Sequence, residues 1–166
     1  MPAIPALRPT KLPKPPRDVE RDEASHTLVE LVRVWTAGSD GRADAVSVNG
    51  GPLDAIAALG PTDARVATVD PSLAIALMAW AGASGGAHGR RPGAAAGRFA
   101  AWWAAGALTG LLDDWPPDPD RLGAELGALE FVAWDGGEPD TGWRLHLAVG
   151  NPVQGRAWAV AATDAR

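Results

Sequence analysis

Two arginines and a histidine crowd one glycine-rich stretch, Ser84-Gly85-Gly86-Ala87-His88-Gly89-Arg90-Arg91-Pro92-Gly93, and a third arginine, Arg98, follows in the alanine-rich segment after it. Glycines let backbone N–H groups turn inward, and a helix opening near Ala94 offers unpaired donors and a partial positive charge. Gly85, Gly86, His88, Arg90, Arg91 and Arg98 therefore form a candidate anion-binding set. Acids are what a first helical turn favours, so arginines there demand a negative counterpart. Asp113, Asp114, Asp118 and Asp120 offer one from within the chain; a phosphate, a carboxylate or an acidic partner offers one from outside. Both stay open, the internal answer slightly ahead. The stretch is neither a Walker loop nor a GxGxxG turn, so it carries no nucleotide fingerprint.

A second cluster, Glu130, Arg144 and His146, falls on strands of the C-terminal region. If Phe131 pairs with Leu145, and Leu147 with Trp158, Glu130 and His146 become cross-strand neighbours. A carboxylate there would raise the imidazole's proton affinity and permit acid–base work. A structural salt-bridge cluster is the commoner use of such a group.

Other chemistries lack their residues. The absence of cysteine removes disulfides, thiol nucleophiles, zinc ribbons and iron–sulfur sites. His26, His88 and His146 stand far apart without metal-ligand spacing, and prolines interrupt the aspartates of 113–120, which do not follow an EF-hand pattern. No GxSxG elbow is present. Both lysines, Lys11 and Lys14, lie near the N-terminus, so the rest of the chain has no Schiff-base or P-loop lysine. No catalytic residue, metal or cofactor is assigned. A formal net charge of −5, with the basic residues of the tail set aside, leaves an acidic body that disfavours nucleic acid.

Those candidates need elements to hold them. Residues 1–20 are proline-rich and are expected to be a disordered, extended tail, with residues 21–166 a single α+β domain. Leu12-Pro13-Lys14-Pro15-Pro16-Arg17 resembles a polyproline ligand, though a free solubilising leader is the plainer reading. Leu28, Leu31, Val32 and Trp35 at i, i+3, i+4 and i+7 predict a helix over 22–36. Short strands are predicted at 45–48 and 65–69, and helices at 52–59, 70–81 and 121–127, with Pro52 in a first turn and Asp70 an N-cap. Residues 94–112 are apolar on every side, which predicts a central buried helix. Its glycines at 93, 97, 106 and 110 point to close helix packing rather than a dimer seam.

Strands at 129–134, 143–149 and 156–162, joined by Asp135-Gly136-Gly137 and by Asn151-Pro152 with Gly155, predict a three-stranded antiparallel meander, extended by one or both of the earlier short strands. One face is core. The other, lined by Ala157, Ala159 and Ala161, is smooth enough to take a helix or a partner.

The stretch Ala83 to Trp103, with Gly142-Trp143-Arg144-Leu145 and Ala157-Trp158-Ala159, resembles an uncharacterised family of actinobacterial proteins, a domain of unknown function, over roughly the second half of the chain. The resemblance implies a bacterial cytoplasmic origin and no activity. The expected function is non-enzymatic: binding an anionic ligand or acidic partner through the glycine- and arginine-rich loop. One alternative is a small enzyme on a phosphorylated or carboxylated metabolite, with His88 or His146 carrying the proton. Another is a structural subunit, a homo-oligomer or a protein partner docking through the sheet face and tail. The longest apolar runs fall short of the roughly 20 residues a membrane span needs, and Pro2, Pro5 and Pro9 break any secretory signal.

Overall fold

Alternating apolar and polar residues in the C-terminal third build three long strands, and four further strands complete one antiparallel sheet. The computed structural model describes residues 1–137 and 141–165. Strands form at Arg8–Lys11 (β1), Val19–Glu20 (β2), Arg42–Asn49 (β3), Asp63–Val69 (β4), Glu130–Asp135 (β5), Trp143–Asn151 (β6) and Arg156–Asp164 (β7). Their order is β1-β4-β5-β6-β7-β3-β2. The expected meander is thus the centre of a seven-stranded sheet, and both short middle strands join it, one on each side.

Helices occupy Glu23–Glu30 (α1), Arg33–Gly38 (α2), Pro52–Ala58 (α3), Pro71–Ala83 (α4), Ala94–Thr109 (α5) and Pro119–Gly127 (α6). Their starts are written in the sequence. Asp70 accepts the Leu73 N–H at 2.8 Å ahead of Pro71, Asp118 accepts the Arg121 N–H at 2.9 Å, and Asp54 reaches back to the Gly51 N–H at 2.8 Å. The single helix expected over 22–36 is instead two. The break falls at Val32 (φ −112°, ψ 18°), among β-branched Val29, Val32 and Val34, which propagate a helix poorly.

Strand alternation sends Phe131, Ala133, Leu145, Leu147, Val149, Trp158 and Val160 into the main core, where they meet Leu28, Val32, Trp35, Leu77, Met78 and Leu108 of the helices. The opposite face carries Ala148, Ala157 and Ala159, and α3 lies on it with Ala55, Ile56 and Ala57, joined by Leu12. Small side chains allow that approach. The alanine face is therefore occupied from within the chain and is not left for a docking partner.

The expected disordered tail is in fact part of the sheet. Residues 8–11 pair with β4, and residues 19–20 with β3, so one N-terminal segment covers both sheet edges. Proline is tolerated there because an outer strand need not donate outward, and short, proline-bearing edges resist pairing with other chains. Seven strands at about 4.8 Å spacing separate the two edges by about 29 Å. The eight steps from Lys11 to Val19 reach about 28 Å fully extended, so this stretch must run nearly straight or the sheet must coil. Stiff Pro13, Pro15 and Pro16 suit that path.

Asp22 ties this segment to the sheet. It caps α1 through the Ser25 N–H (3.0 Å) and accepts from the Trp158 indole (3.0 Å) and the Arg156 guanidinium (3.0 Å). Burial raises its pKa, but those hydrogen bonds outweigh it and hold the carboxyl below its ordinary range. Its contribution is present above pH 3.8 and is lost as pH falls through the lowered folded value. Asp22→Ala removes a cap and orphans the indole N–H, so urea unfolding should show a loss of about 2–3 kcal/mol.

Candidate functional site

The two residue groups singled out in the sequence meet at one end of the sheet, but only in part. A cleft of about 1090 Å³ lies where β5 ends and β6 begins, between α4 and the first residues of the chain. Arg91 reaches it from the glycine-rich loop, and Arg144 and His146 reach it from β6. Trp80 of α4, Trp134 of β5 and Trp143 of β6 supply its broad apolar surfaces, and Ile4 and Leu7 close one side.

The charge at its base is organised around Asp135, which is buried. Arg65 of β4 and Arg144 (3.2 Å) both pair with its carboxylate, and the Gly137 N–H donates at 2.6 Å. Burial pushes the Asp135 pKa up, and the Gly137 and arginine interactions more than reverse that, leaving it below its ordinary range. One carboxylate thus faces two guanidiniums. Arg91 adds another cation, and Asp135 is the only acid lining the cleft among the described residues.

His146 is buried and stacks on Trp134 with ring centroids 4.3 Å apart. Burial lowers its pKa, Arg144 lowers it further, and Asp135 only partly offsets them, leaving it at about 4. At neutral pH the imidazole is uncharged. The Trp134 indole N–H is also buried and has no hydrogen-bond partner among the described residues.

Glu130 does not join this group. The strands slide past the expected register: Phe131 pairs with Val149 rather than Leu145, and Leu147 with Val160 rather than Trp158. Glu130 therefore lies opposite Gly150 and is exposed. Both slips are even, by four and by two residues, so each side chain keeps its predicted face while its neighbour changes. Connection geometry decides the register. Asn151 pairs with Arg156 and accepts the Val153 and Gln154 N–H groups at 3.1 Å, closing a four-residue turn.

The glycine-rich loop also differs from expectation. Gly85 and Gly86 are buried and shape the loop rather than face a ligand. Gly86 takes φ +68° where a Cβ would strike the Asp164 carboxylate and the Trp35 ring, so only glycine fits. Asp164, buried at the end of β7, accepts the Ala87 N–H at 2.6 Å, and Ser39 accepts the His88 N–H at 3.2 Å. Asp164 is thus the acid that holds this loop, through its backbone. The His88 side chain is exposed and lines neither cleft.

None of the expected aspartates neutralises the arginines. Asp114 pairs with Arg121 (2.7 Å), Asp118 caps α6, and Arg90, Arg91 and Arg98 make no ion pair among the described residues. The reason is distance. Sixteen residues of α5, at 1.5 Å each, put those acids about 24 Å from the helix start. The three arginines also separate: Arg90 and Arg91 line a second depression of about 700 Å³ with Arg33, while Arg98 lies on the outer side of α5.

A model of a family of unknown function (DUF6183) matches residues 2–166. The chain belongs to that family. The match spans both halves of the chain rather than the second half alone, so the N-terminal strands and the cleft lie within the family's domain. No curated protein and no solved structure matches the chain. Sequence reasoning overlooked Arg65, Asp135, Trp80 and Trp134. Asp135 reads as a turn residue before two glycines, and Ile4 with Leu7, apolar in a polar tail, was the available hint that the N-terminus packs onto something.

Proposed function

We propose that the protein is a binding module that takes a small anionic molecule, a carboxylate or phosphate with a flat apolar body, in the sheet-end cleft. The observation that carries this reading is that Arg91, which makes no ion pair among the described residues, lines one cleft with Arg144 and three tryptophans, where the sole acid among the described lining residues, Asp135, is already engaged by Arg65 and Arg144. Its volume suits a ligand of drug-like size, and a few polar groups amid apolar walls are how such sites orient a ligand. The Trp134 N–H, which has no hydrogen-bond partner among the described residues, adds a buried donor that costs about 1–3 kcal/mol while unsatisfied.

Binding is favoured over catalysis by the same geometry. General acid–base work needs a group poised near the working pH, and an imidazole with a pKa of about 4 is a weak base. The Ser84 hydroxyl, a candidate nucleophile in the cleft, is engaged with the Trp35 indole (2.9 Å) and the Ala81 carbonyl (3.2 Å). We also hold to a bacterial, cytoplasmic setting, which the cysteine-free composition suits. Among the described residues no helix is long and apolar enough to cross a membrane.

The test is calorimetric titration with aromatic carboxylates and nucleoside monophosphates. Arg91→Ser should weaken the best ligand at least about 10-fold, the loss expected for one charge-assisted contact, with the melting temperature of the free protein unchanged. Equal affinity in the variant, or no binding across the panel, defeats the proposal.

A further inference from the structure

Helix α5 is apolar on every side, and the fold covers only part of it. Ala101, Ala104, Ala105 and Leu108 are buried, and a Cβ on Gly97 would collide with α4, so the inner side is closely packed. The outer side leaves Phe99, Trp102 and Trp103 exposed to 59%, 52% and 37%. These rings are not scattered. Phe99 stacks on Trp103 with centroids 6.2 Å apart, and Trp115 meets both edge-on at 5.8 and 5.0 Å. Together the three exposed side chains leave about 300 Å² of aromatic surface in solvent, the size of the largest apolar patch on many monomers, which is often functional.

Two charges flank this patch. Arg98 precedes Phe99 on α5, and Asp113 stands in the turn Leu112–Asp114 just before Trp115. Both are exposed, and neither makes an ion pair among the described residues, whereas neighbouring Asp114 is committed to Arg121. Arg98 thus flanks the rings at the start of α5, and Asp113 flanks them in the turn that follows its end.

We infer that α5 packs against α5 of a second copy of this chain, antiparallel about a two-fold axis. In a two-fold contact residue i meets j while j meets i, so the surface must complement itself. Antiparallel helices bring the early part of each α5 to the late part of the other, which sets each Arg98 toward the partner copy's Asp113. A parallel arrangement sets Arg98 against Arg98. The rings form the apolar centre of the contact, and exposed Ala94, Ala95 and Ala96 let the backbones approach closely. About 300 Å² is a good third of the roughly 800 Å² per partner that a stable dimer buries, so the association is reversible. It shares no residue with the sheet-end cleft.

Sedimentation equilibrium of the full chain, from about 1 μM to about 500 μM, tests the inference. The wild-type chain should show a concentration-dependent dimer, and Trp102→Ser should stay monomeric throughout with an unchanged melting temperature. Arg98→Asp should weaken dimerisation at least about 5-fold, and Arg98→Asp with Asp113→Arg should restore it to within about 2-fold of wild type. A wild-type chain monomeric at every concentration overturns the inference, as does a dimer indifferent to Trp102→Ser. A charge swap that fails to rescue overturns the antiparallel arrangement.

Discussion

Replacing Trp35 with alanine should remove about 3–5 kcal/mol of stability, the usual cost of emptying a fully buried indole site. Trp35 has no exposed surface. Its ring meets Trp80 edge-on at 5.9 Å, its N–H donates to the Ser84 hydroxyl at 2.9 Å, and Gly86 passes against its face. The residue therefore supports α4, the start of the glycine-rich loop and one wall of the cleft at once. A domain of this size has about 5–15 kcal/mol in total, so the loss would be a large share of it. Urea unfolding should show a lower midpoint with an unchanged slope. Ser84→Ala separates the two contributions, since it keeps the ring and strands only the N–H, at about 1–2 kcal/mol. A Trp35→Ala protein within 1 kcal/mol of wild type would refute this account of the core.

The second large effect is acid sensitivity in a defined window. His146 has a folded pKa of about 4 against 6.5 unfolded. Between those values the unfolded chain binds a proton that the folded protein does not, so stability rises with pH across the window. As pH falls from 6.5 toward 4, about 3 kcal/mol should be lost, and below that this group costs nothing further. Asp22 and Asp135 act elsewhere on the scale. Their lowered pKa values make their contributions fail only below 3.8. The measurement is urea stability from pH 7.5 to 4 for wild type and for His146→Gln, which carries no charge at any pH. The stability gap between the two should shrink by about 3 kcal/mol across that range. A constant gap would mean that the imidazole is not held neutral by its burial and by Arg144.

The same imidazole illustrates how much of the site could be read in advance. Arg91, Arg144 and His146 were recognisable from residue type, and the structure brings all three to one cleft. Their partners were not recognisable. The even slips that separate Glu130 from His146 leave the inside–outside pattern untouched, because side chains alternate with a period of two. Only the connections between strands distinguish one register from the other, and the residue facing His146 is consequently Trp134.

Local chemistry determined a good deal on its own. Alternation placed the strands and their faces, and proline with aspartate marked the starts of α3 and α4, whereas Gly110, at φ +71°, ends α5 short of the expected 112 and Asp118 with Pro119 opens α6 ahead of the expected 121. These are properties of neighbouring residues and need no fold. Three others were decided only by the tertiary structure. The N-terminal segment became two edge strands because sheet edges recruit backbone N–H and C=O groups, which every residue has and no side chain advertises. Helix α5 shows apolar residues all round, so only the packing of α4 against it reveals which side stays bare. Which acid meets which group is set by distance in space: the aspartates of 113–120 lie a full helix from the loop arginines, while Asp135 meets Arg65 and Arg144 and Asp164 holds the loop through the Ala87 N–H.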